Sequence, residues 1–281
     1  MKTVRIIPKL DIKGPNLVKG IHLEGLRVLG KPSDFAKYYY EQGADELMFM
    51  DVVASLYERN SLHDIISETA KSIFIPITVG GGIRSLNDIK SMLRIGADKI
   101  SINTAAIKRP EFIREASEEF GSSTIVVSIE AIKNSDGKHY AFIDNGREFT
   151  GIEVIEWAKE VERLGAGEIV ITSVDKEGTG KGVDVQLTKE ISDSVSLPII
   201  AHGGIGSMND VEDLLESGII DSIAIGSALH YEALKNFNLD LNNRKEGNVD
   251  FLLSGRNASN FKSFDLKDLK KHLHSKSIYC R

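Results

Sequence analysis

The chain is very poor in cysteine: its only one is Cys280, next to the C-terminus of 281 residues. A single thiol cannot form an internal disulfide, and such low usage is typical of proteins in a reducing cytosol. Long apolar runs are missing too. The first residues lack the apolar segment of a signal peptide, and no stretch reaches the length of a transmembrane helix. The sequence therefore predicts a cytoplasmic protein that neither crosses nor enters a membrane.

An excess of positive charge is also absent. Lys and Arg number 35 against 41 Asp and Glu, which gives a formal net charge of −6 and a pI of about 5.7. This balance argues against nucleic acid or an anionic membrane surface as the main partner. It is compatible with a small anionic ligand, because free backbone N–H groups and a few cations outweigh the global charge locally.

Two patterns of catalytic chemistry are lacking. No nucleophile stands with a base in a recognisable arrangement, and the seven histidines show no metal-ligand spacing. We therefore expect neither a metal nor another cofactor. His202, beside Gly203, is the one histidine near the site predicted below, and its simplest role is to shape that loop.

What the chain does have is an internal duplication. The run that begins Thr78-Val-Gly-Gly-Gly-Ile-Arg-Ser-Leu-Asn-Asp matches the run that begins Ile200-Ala-His-Gly-Gly-Ile-Gly-Ser-Met-Asn-Asp. The segment from Ala36 to Glu46 matches the segment from Ala158 to Glu168. Self-similarity at a fixed spacing indicates two half-domains. We predict half-barrels at residues 1–120 and 121–230 within a single domain of residues 1–281.

Short apolar runs of strand length alternate with amphipathic helical segments. The predicted strands are roughly 4–10, 45–53, 74–79, 98–102, 124–130, 167–173, 197–201 and 221–225. The predicted helices lie near 32–42, 61–72, 85–95, 109–120, 151–164, 184–194 and 207–217. Eight strands that alternate with helices indicate an α/β fold of the (β/α)8 TIM-barrel type, with an open doubly wound sheet as the alternative. Residues 138–149 suggest an inserted hairpin, residues 232–262 an insertion near the C-terminus, and residues 264–274 a closing helix.

Four small polar or glycine elements follow predicted strands, where the active sites of such barrels lie. Glycine permits close backbone approach to an anion, and the start of a helix offers free N–H donors. The elements are Gly81 and Gly82, Asn103 and Thr104, Gly203 and Gly204, and Gly226 and Ser227. The duplication pairs them, so we predict a ligand with a phosphate at each end. The alternative is a duplicated fold with one functional phosphate site.

Two carboxylates end strands that face each other across an eight-stranded ring. Asp11 ends the first predicted strand and Glu130 ends the fifth. Such a pair suits a proton donor and acceptor acting on a substrate held between two phosphate sites. For either carboxylate on its own, the simpler interpretation is that it caps a loop. Asp51 and Asp175 also end strands and are weaker candidates.

Several motifs of the chain are similar to those of a known family. The matching motifs are Leu10-Asp-Ile-Lys13 with Val18-Lys-Gly20, Asp45-Glu-Leu-Met-Phe-Met-Asp51, Val79-Gly-Gly-Gly-Ile83, Gly96-Ala-Asp-Lys-Ile-Ser-Ile-Asn-Thr-Ala105, and Gly165-Ala-Gly-Glu168 with Thr172-Ser173. Over nearly its full length the chain resembles the cyclase subunit of imidazole glycerol phosphate synthase, a lyase of histidine biosynthesis. The run from Ser101 to Ala106 favours the cyclase over the sister isomerase.

The resemblance implies roles for particular residues. Asp11 and Glu130 fall on the two catalytic positions, the second of which is Asp in the family. Lys9 replaces a small residue, and Glu177 replaces Asp. The resemblance implies that substrate is bound by Lys19, Gly81, Gly82, Ser101, Asn103, Thr104, Asp175, Glu177, Gly178, Gly203, Gly204, Gly226 and Ser227. It also implies an ammonia gate formed by Arg5, Glu46, Lys99 and Glu168, for which a stabilising layer of ion pairs is the alternative.

The implied partner is a glutaminase subunit in a 1:1 heterodimer. Its ammonia would attack a bisphosphate aminoimidazole carboxamide ribulosyl intermediate and yield imidazole glycerol phosphate and an aminoimidazole carboxamide ribotide. Three other readings stay open. They are a divergent paralogue in amidino-sugar synthesis for surface polysaccharide, the sister isomerase, and a non-catalytic ammonia conduit.

Overall fold

Eight parallel strands form a closed barrel in the computed structural model, which describes residues 3–54, 62–236 and 261–281. The barrel strands are β1 (Arg5–Lys13), β4 (Leu47–Asp51), β5 (Ile77–Gly80), β6 (Lys99–Ile102), β7 (Ile125–Lys133), β10 (Glu168–Ser173), β11 (Ile199–His202) and β12 (Ser222–Ile225). Pairing of β12 with β1 and of β7 with β10 closes the ring. The predicted TIM barrel is confirmed, and the open sheet is excluded.

Helices cover the outside of this barrel. They are α1 (Pro32–Glu41), α2 (Leu62–Thr69), α3 (Leu86–Arg94), α4 (Thr104–Lys108), α5 (Glu111–Phe120), α6 (Val154–Arg163), α7 (Val185–Ser194), α8 (Met208–Glu216), α9 (Ser227–Asn236) and α10 (Leu266–Ser275). Their apolar faces and the outward side chains of the strands form one large core. The predicted closing helix is α10. Of the predicted insertion, residues 237–260 lie outside the described residues.

The duplicated motif produces the same local structure twice. The Ser85 hydroxyl accepts from the backbone N–H of Asp88, and the Asp88 carboxylate accepts in return from the backbone N–H of Ser85. Ser207 and Asp210 form the same reciprocal capping box at the start of α8. Because each box satisfies two N–H groups that the first turn leaves unpaired, it fixes where the helix begins.

Two hairpins extend from opposite barrel strands. β8 (His139–Ile143) and β9 (Glu148–Glu153) form the predicted hairpin after β7. β2 (Asn16–Ile21) and β3 (Glu24–Gly30) form a second hairpin after β1, which was not predicted from the sequence. Antiparallel pairing starts at the two predicted catalytic positions, where Asp11 faces Val18 and Glu130 faces Phe142.

The interior of the barrel is layered. A small apolar cluster, separate from the outer core, fills its middle and consists of Ile7, Met48, Val126, Val170, Ile200 and Ala224. Side chains alternate between the two faces of a strand, so the residues two positions further along point into the barrel above this layer. Among the described helices, none is both long and apolar enough to span a membrane.

We expect Ser207→Ala to lower the free energy of unfolding by about 1 kcal/mol, because it removes the acceptor of the capping box. Urea unfolding followed by circular dichroism measures the change. Asn209→Ala is the matched control, since Asn209 is exposed in the same turn of α8. Equal effects of the two substitutions would contradict a stabilising role for the cap.

Candidate active site

The two predicted catalytic carboxylates lie on directly opposite strands. β1 and β7 are four positions apart in either direction around the ring. The carboxyl ends of all eight strands share one rim, so Asp11 and Glu130 lie at the same mouth of the barrel. Their surroundings differ strongly.

Asp11 is 2% exposed and is held by two lysines. Lys9 Nζ donates to its Oδ1, and Lys19 Nζ donates to its Oδ2 at 2.6 Å. Burial by itself would raise the pKa of Asp11, but the ammonium groups of Lys19 and Lys9 outweigh that effect and hold the pKa well below its usual range. Asp11 is therefore a permanent carboxylate at neutral pH.

Glu130 interacts with the backbone of Gly146 and the side chain of Asn103. Its Oε2 accepts from the backbone N–H of Gly146 at 2.7 Å, and its side chain reaches the main cavity of the site. Burial raises the pKa of Glu130 to about 7, although the Gly146 N–H and the charge of Lys9 act in the opposite direction. A carboxyl group with this pKa can both give and take a proton near neutral pH, which Asp11 cannot.

The main cavity has a volume of about 460 Å³ and lies on the Glu130 side of the barrel mouth. Six of the predicted site residues line it, namely Gly81, Gly82, Ser101, Asn103, Thr104 and Glu130. Asp51, a weaker candidate, lines it too. Gly81 and Gly82 have φ angles of 94° and 73°, which favour glycine, and a Cβ on Gly81 would lie 2.2 Å from the Asp51 carbonyl oxygen. The first-half elements thus converge as predicted.

The second-half elements converge at a separate and much smaller cavity of about 10 Å³. It is lined by Gly203, Gly204, Gly226 and Ser227, together with Glu177 and His202. Lys19 lies close by, because a Cβ on Gly226 would be 3.3 Å from its Cε atom. The four glycine elements are therefore at the same rim, but they border two unequal cavities.

Glu177 connects the second-half rim to Asp11. Its Oε1 accepts from Lys19 Nζ, and its Oε2 accepts from the backbone N–H of Leu23 at 3.0 Å. Gly178 follows with φ 70°, and a Cβ there would lie 2.5 Å from the carbonyl oxygen of Gly20. This loop thus packs against the β2–β3 hairpin and holds the lysine that contacts Asp11.

Asp11, Lys19, Gly178 and Asp175 are predicted site residues that line neither cavity, and of these four Asp175 alone is exposed. The Asp175 carboxylate accepts from the backbone N–H of Lys133 at 2.8 Å. Asp175 therefore joins the end of β10 to the end of β7. It was predicted from the sequence by its position at a strand end and by the family resemblance.

His202 is the last residue of β11, directly before the second-half glycines. It is 4% exposed, its Nδ1 lies 3.0 Å from the carbonyl oxygen of Ala224, and its Nε2 has no hydrogen-bond partner within the described structure. Burial, with the charges of Lys9 and Lys19, lowers the pKa of His202 well below its usual value. The ring is neutral, and Nε2 is an acceptor if Nδ1 carries the proton.

The four predicted gate residues form a closed ring of alternating charges at the opposite mouth. Arg5 contacts Glu46 at 3.3 Å and also contacts Glu168, while Lys99 contacts both carboxylates at 3.0 Å. Although burial opposes it, these carboxylates raise the pKa of Arg5. Each residue starts or directly precedes its barrel strand, so the ring lies below the apolar layer of Ile7 and Met48.

Several cavity-lining residues were not predicted as site residues. They include Leu23, Met50, Arg84, Lys108, Asp144 and Asn145, most of which lie in loops or in the two hairpins. Lys9 is the exception, because strand alternation in β1 already places it on the same face as Asp11. That spacing could have identified it from the sequence.

The pKa of Glu130 has a consequence for stability. Its folded-state pKa of about 7 lies above the ordinary value of 4.5, so the folded chain binds the extra proton more tightly. This contribution is present below pH 4.5 and is lost as pH rises to about 7. As pH rises from 5 to 7.5, we expect the unfolding free energy of wild type to fall relative to that of Glu130→Gln. Urea titrations across that range measure the difference.

Glu119→Gln is the control for this measurement, because Glu119 is an exposed carboxylate on α5. Its difference from wild type should not change in this pH range. A pH-independent difference for Glu130→Gln would show that the carboxyl group does not titrate there.

Known proteins of similar sequence indicate the family of this chain. The family model described as "Histidine biosynthesis protein" matches residues 5–235. A Legionella pneumophila protein named imidazole glycerol phosphate synthase subunit HisF is 56% identical over 210 residues, which cover 75% of this chain and 99% of the relative. A protein of the same name from Lactococcus lactis subsp. cremoris (strain MG1363) is 47% identical, over 82% of this chain and 90% of the relative. Another from Methanococcus vannielii is 48% identical, over 82% of this chain and 92% of the relative. The chain belongs to the histidine biosynthesis protein family and is similar to its HisF subunits.

Proposed function

We propose that the chain is the cyclase subunit, a lyase, of an imidazole glycerol phosphate synthase. It uses ammonia from a partner to convert the bisphosphate aminoimidazole carboxamide ribulosyl intermediate into imidazole glycerol phosphate and an aminoimidazole carboxamide ribotide. The observation that carries the proposal is Glu130, a carboxyl group with a pKa of about 7 in the main cavity beside the first-half glycine loop. The identity of 56% to a subunit of that name supports the same assignment.

The arrangement suits a substrate with two phosphates. Backbone N–H groups at Gly81 and Gly82 and the hydroxyl of Thr104 offer donors on the side of the main cavity. Gly203, Gly226 and Ser227 line the smaller cavity on the second-half side, where backbone N–H groups and the Ser227 hydroxyl are the candidate donors. A phosphate at each place would hold the middle of the substrate over the barrel axis, where Glu130 can move protons during ring closure. Asp11 holds the ammonium groups of Lys9 and Lys19 beside this site.

The partner is proposed to be a glutaminase subunit that binds at the N-terminal mouth in a 1:1 complex. The relatives' name includes the word "subunit", which implies an assembly of more than one chain. In this chain the ring of Arg5, Glu46, Lys99 and Glu168 surrounds that mouth. Phe74, 79% exposed just ahead of β5, adds an apolar contact on the same face. Neutral ammonia can cross the apolar layer above the ring, whereas a charged ammonium ion is strongly disfavoured there.

Turnover tests the proposal directly. Given the bisphosphate intermediate and an ammonium salt, the purified chain should form imidazole glycerol phosphate without a partner, as detected by mass spectrometry. Glu130→Gln should lower the rate by about 100-fold or more, because it removes a general acid–base group. The control Glu119→Gln should retain the wild-type rate. Isomerisation of the ribulosyl intermediate without added ammonia would indicate the isomerase instead, and substrate binding without any turnover would indicate a conduit or a paralogue with another substrate.

The length of the side chain at position 130 provides a second test. Glu130→Asp withdraws the carboxylate from the Gly146 N–H by about one ångström, and misplacement on that scale costs roughly 100-fold in rate. We therefore expect a large loss of kcat, measured at saturating substrate and ammonium. A strong gain would show that the native glutamate is poorly placed for this reaction and would favour a different native substrate.

A further inference from the structure

Lys9, two residues before Asp11 on β1, borders the main cavity, where a carboxylate of β1 was expected. Lys9 is 5% exposed, and it lines the main cavity together with Glu130, whereas Asp11 does not line it. Both oxygens of Asp11 are engaged by ammonium groups. On the β1 side of the site, the chemical group that faces the cavity is therefore an ammonium rather than a carboxylate.

We propose that Lys9 is the residue of β1 that contacts the reacting part of the substrate, and that Asp11 is a positioning residue that holds Lys9. This inference rests on the proposed function and assigns a role within the same site. The opposing groups across the cavity are then one cation, Lys9, and one titrating carboxyl group, Glu130.

The hydrogen bonding of Lys9 leaves it able to bind a ligand. An ammonium group has three N–H donors, and Asp11 Oδ1 is its one acceptor within the described structure. Two donors are thus available to a substrate oxygen in the cavity. Asp11 fixes the ammonium in place, because its other oxygen is itself held by Lys19, which also contacts Glu177.

The backbone of Lys9 is fixed as well. Its carbonyl oxygen lies 2.9 Å from Nε2 of His230, and Nδ1 of His230 lies 2.6 Å from the hydroxyl of Tyr39. His230 is fully buried, and burial together with the charge of Lys19 lowers its pKa to about 3. The neutral ring donates from Nε2 to Lys9 and accepts at Nδ1 from Tyr39. This arrangement limits movement of β1 at the residue that carries the ammonium.

The role follows from the chemistry of nitrogen attack. When the ammonia lone pair forms a bond to the substrate's carbonyl carbon, the π pair of the C=O bond moves onto oxygen. An N–H of Lys9 can donate to that oxygen as its negative charge develops. The attacking nitrogen carries an excess proton, which ionised Glu130 can accept. The step is balanced without any further reactant.

A purely structural role is the competing explanation. Lys9, Lys19, Asp11 and Glu177 form a buried cluster of two cations and two anions, so Lys9 could serve only to balance charge. The two roles differ in what happens when Asp11 is also neutralised. Charge balance is restored in the double variant Lys9→Met/Asp11→Asn, but the donor to the substrate is still missing.

The experiment compares Lys9→Met, Asp11→Asn and the double variant, with ammonium salt as the nitrogen source. Lys13→Met is the control, since Lys13 is exposed on the same strand. We expect Lys9→Met to lower kcat by about 100-fold with a smaller change in KM, because one transition-state donor is lost. Asp11→Asn should retain more activity than Lys9→Met, and the double variant should not recover. Recovery of the double variant toward wild type would overturn the proposal.

A measurement without turnover separates this inference from the proposed function. In protein labelled with 15N-lysine, the Nζ resonance of Lys9 is assigned by its loss in Lys9→Met, or in Lys9→Arg if the methionine variant does not fold. Addition of the bisphosphate substrate should shift this resonance, while that of Lys13 stays in place. An unshifted Lys9 signal at saturation would overturn the inference. A shift in a wild-type protein that forms no product would reject the proposed function and retain the contact.

Discussion

Closure of the parallel sheet between β7 and β10 is the constraint on which the site depends. It places β1 and β7 on opposite sides of one ring and gathers the carboxyl ends of all eight strands at one rim. Residues more than a hundred positions apart in the chain therefore meet across a single mouth. The hairpin pairing of β1 begins at Asp11, and that of β7 begins at Glu130. Each carboxylate therefore lies where a barrel strand continues into a hairpin beside the site.

The two opposing carboxylates behave differently because of their neighbours. Asp11 lies between two ammonium groups and stays ionised, whereas Glu130 has a backbone N–H and a largely enclosed position, and its pKa is about 7. A pair of acids with separated pKa values is a frequent way to divide proton transfer from charge stabilisation. Here the division follows from the lysines of β1 and β2, which act on one side of the barrel mouth only.

Periodicity and duplication were sufficient to predict the barrel, the position of the hairpin after β7 and the convergence of the glycine loops. They could not predict side-chain partners. Asp175 and Glu177 are two residues apart at the end of β10, yet one faces solvent and the other is buried against Lys19. The β2–β3 hairpin was missed because its strands are only partly buried and form no continuous apolar run. The contact between Lys9 and Asp11 depends on alternation along β1, which the sequence did contain.

The apolar layer formed by Ile7, Met48, Val126, Val170, Ile200 and Ala224 divides the barrel into two aqueous ends. Moving a hydrated ion into such an apolar layer costs free energy, because the ion loses its water. An apolar layer one residue thick therefore opposes the passage of charged groups between the two mouths far more than that of a small uncharged molecule.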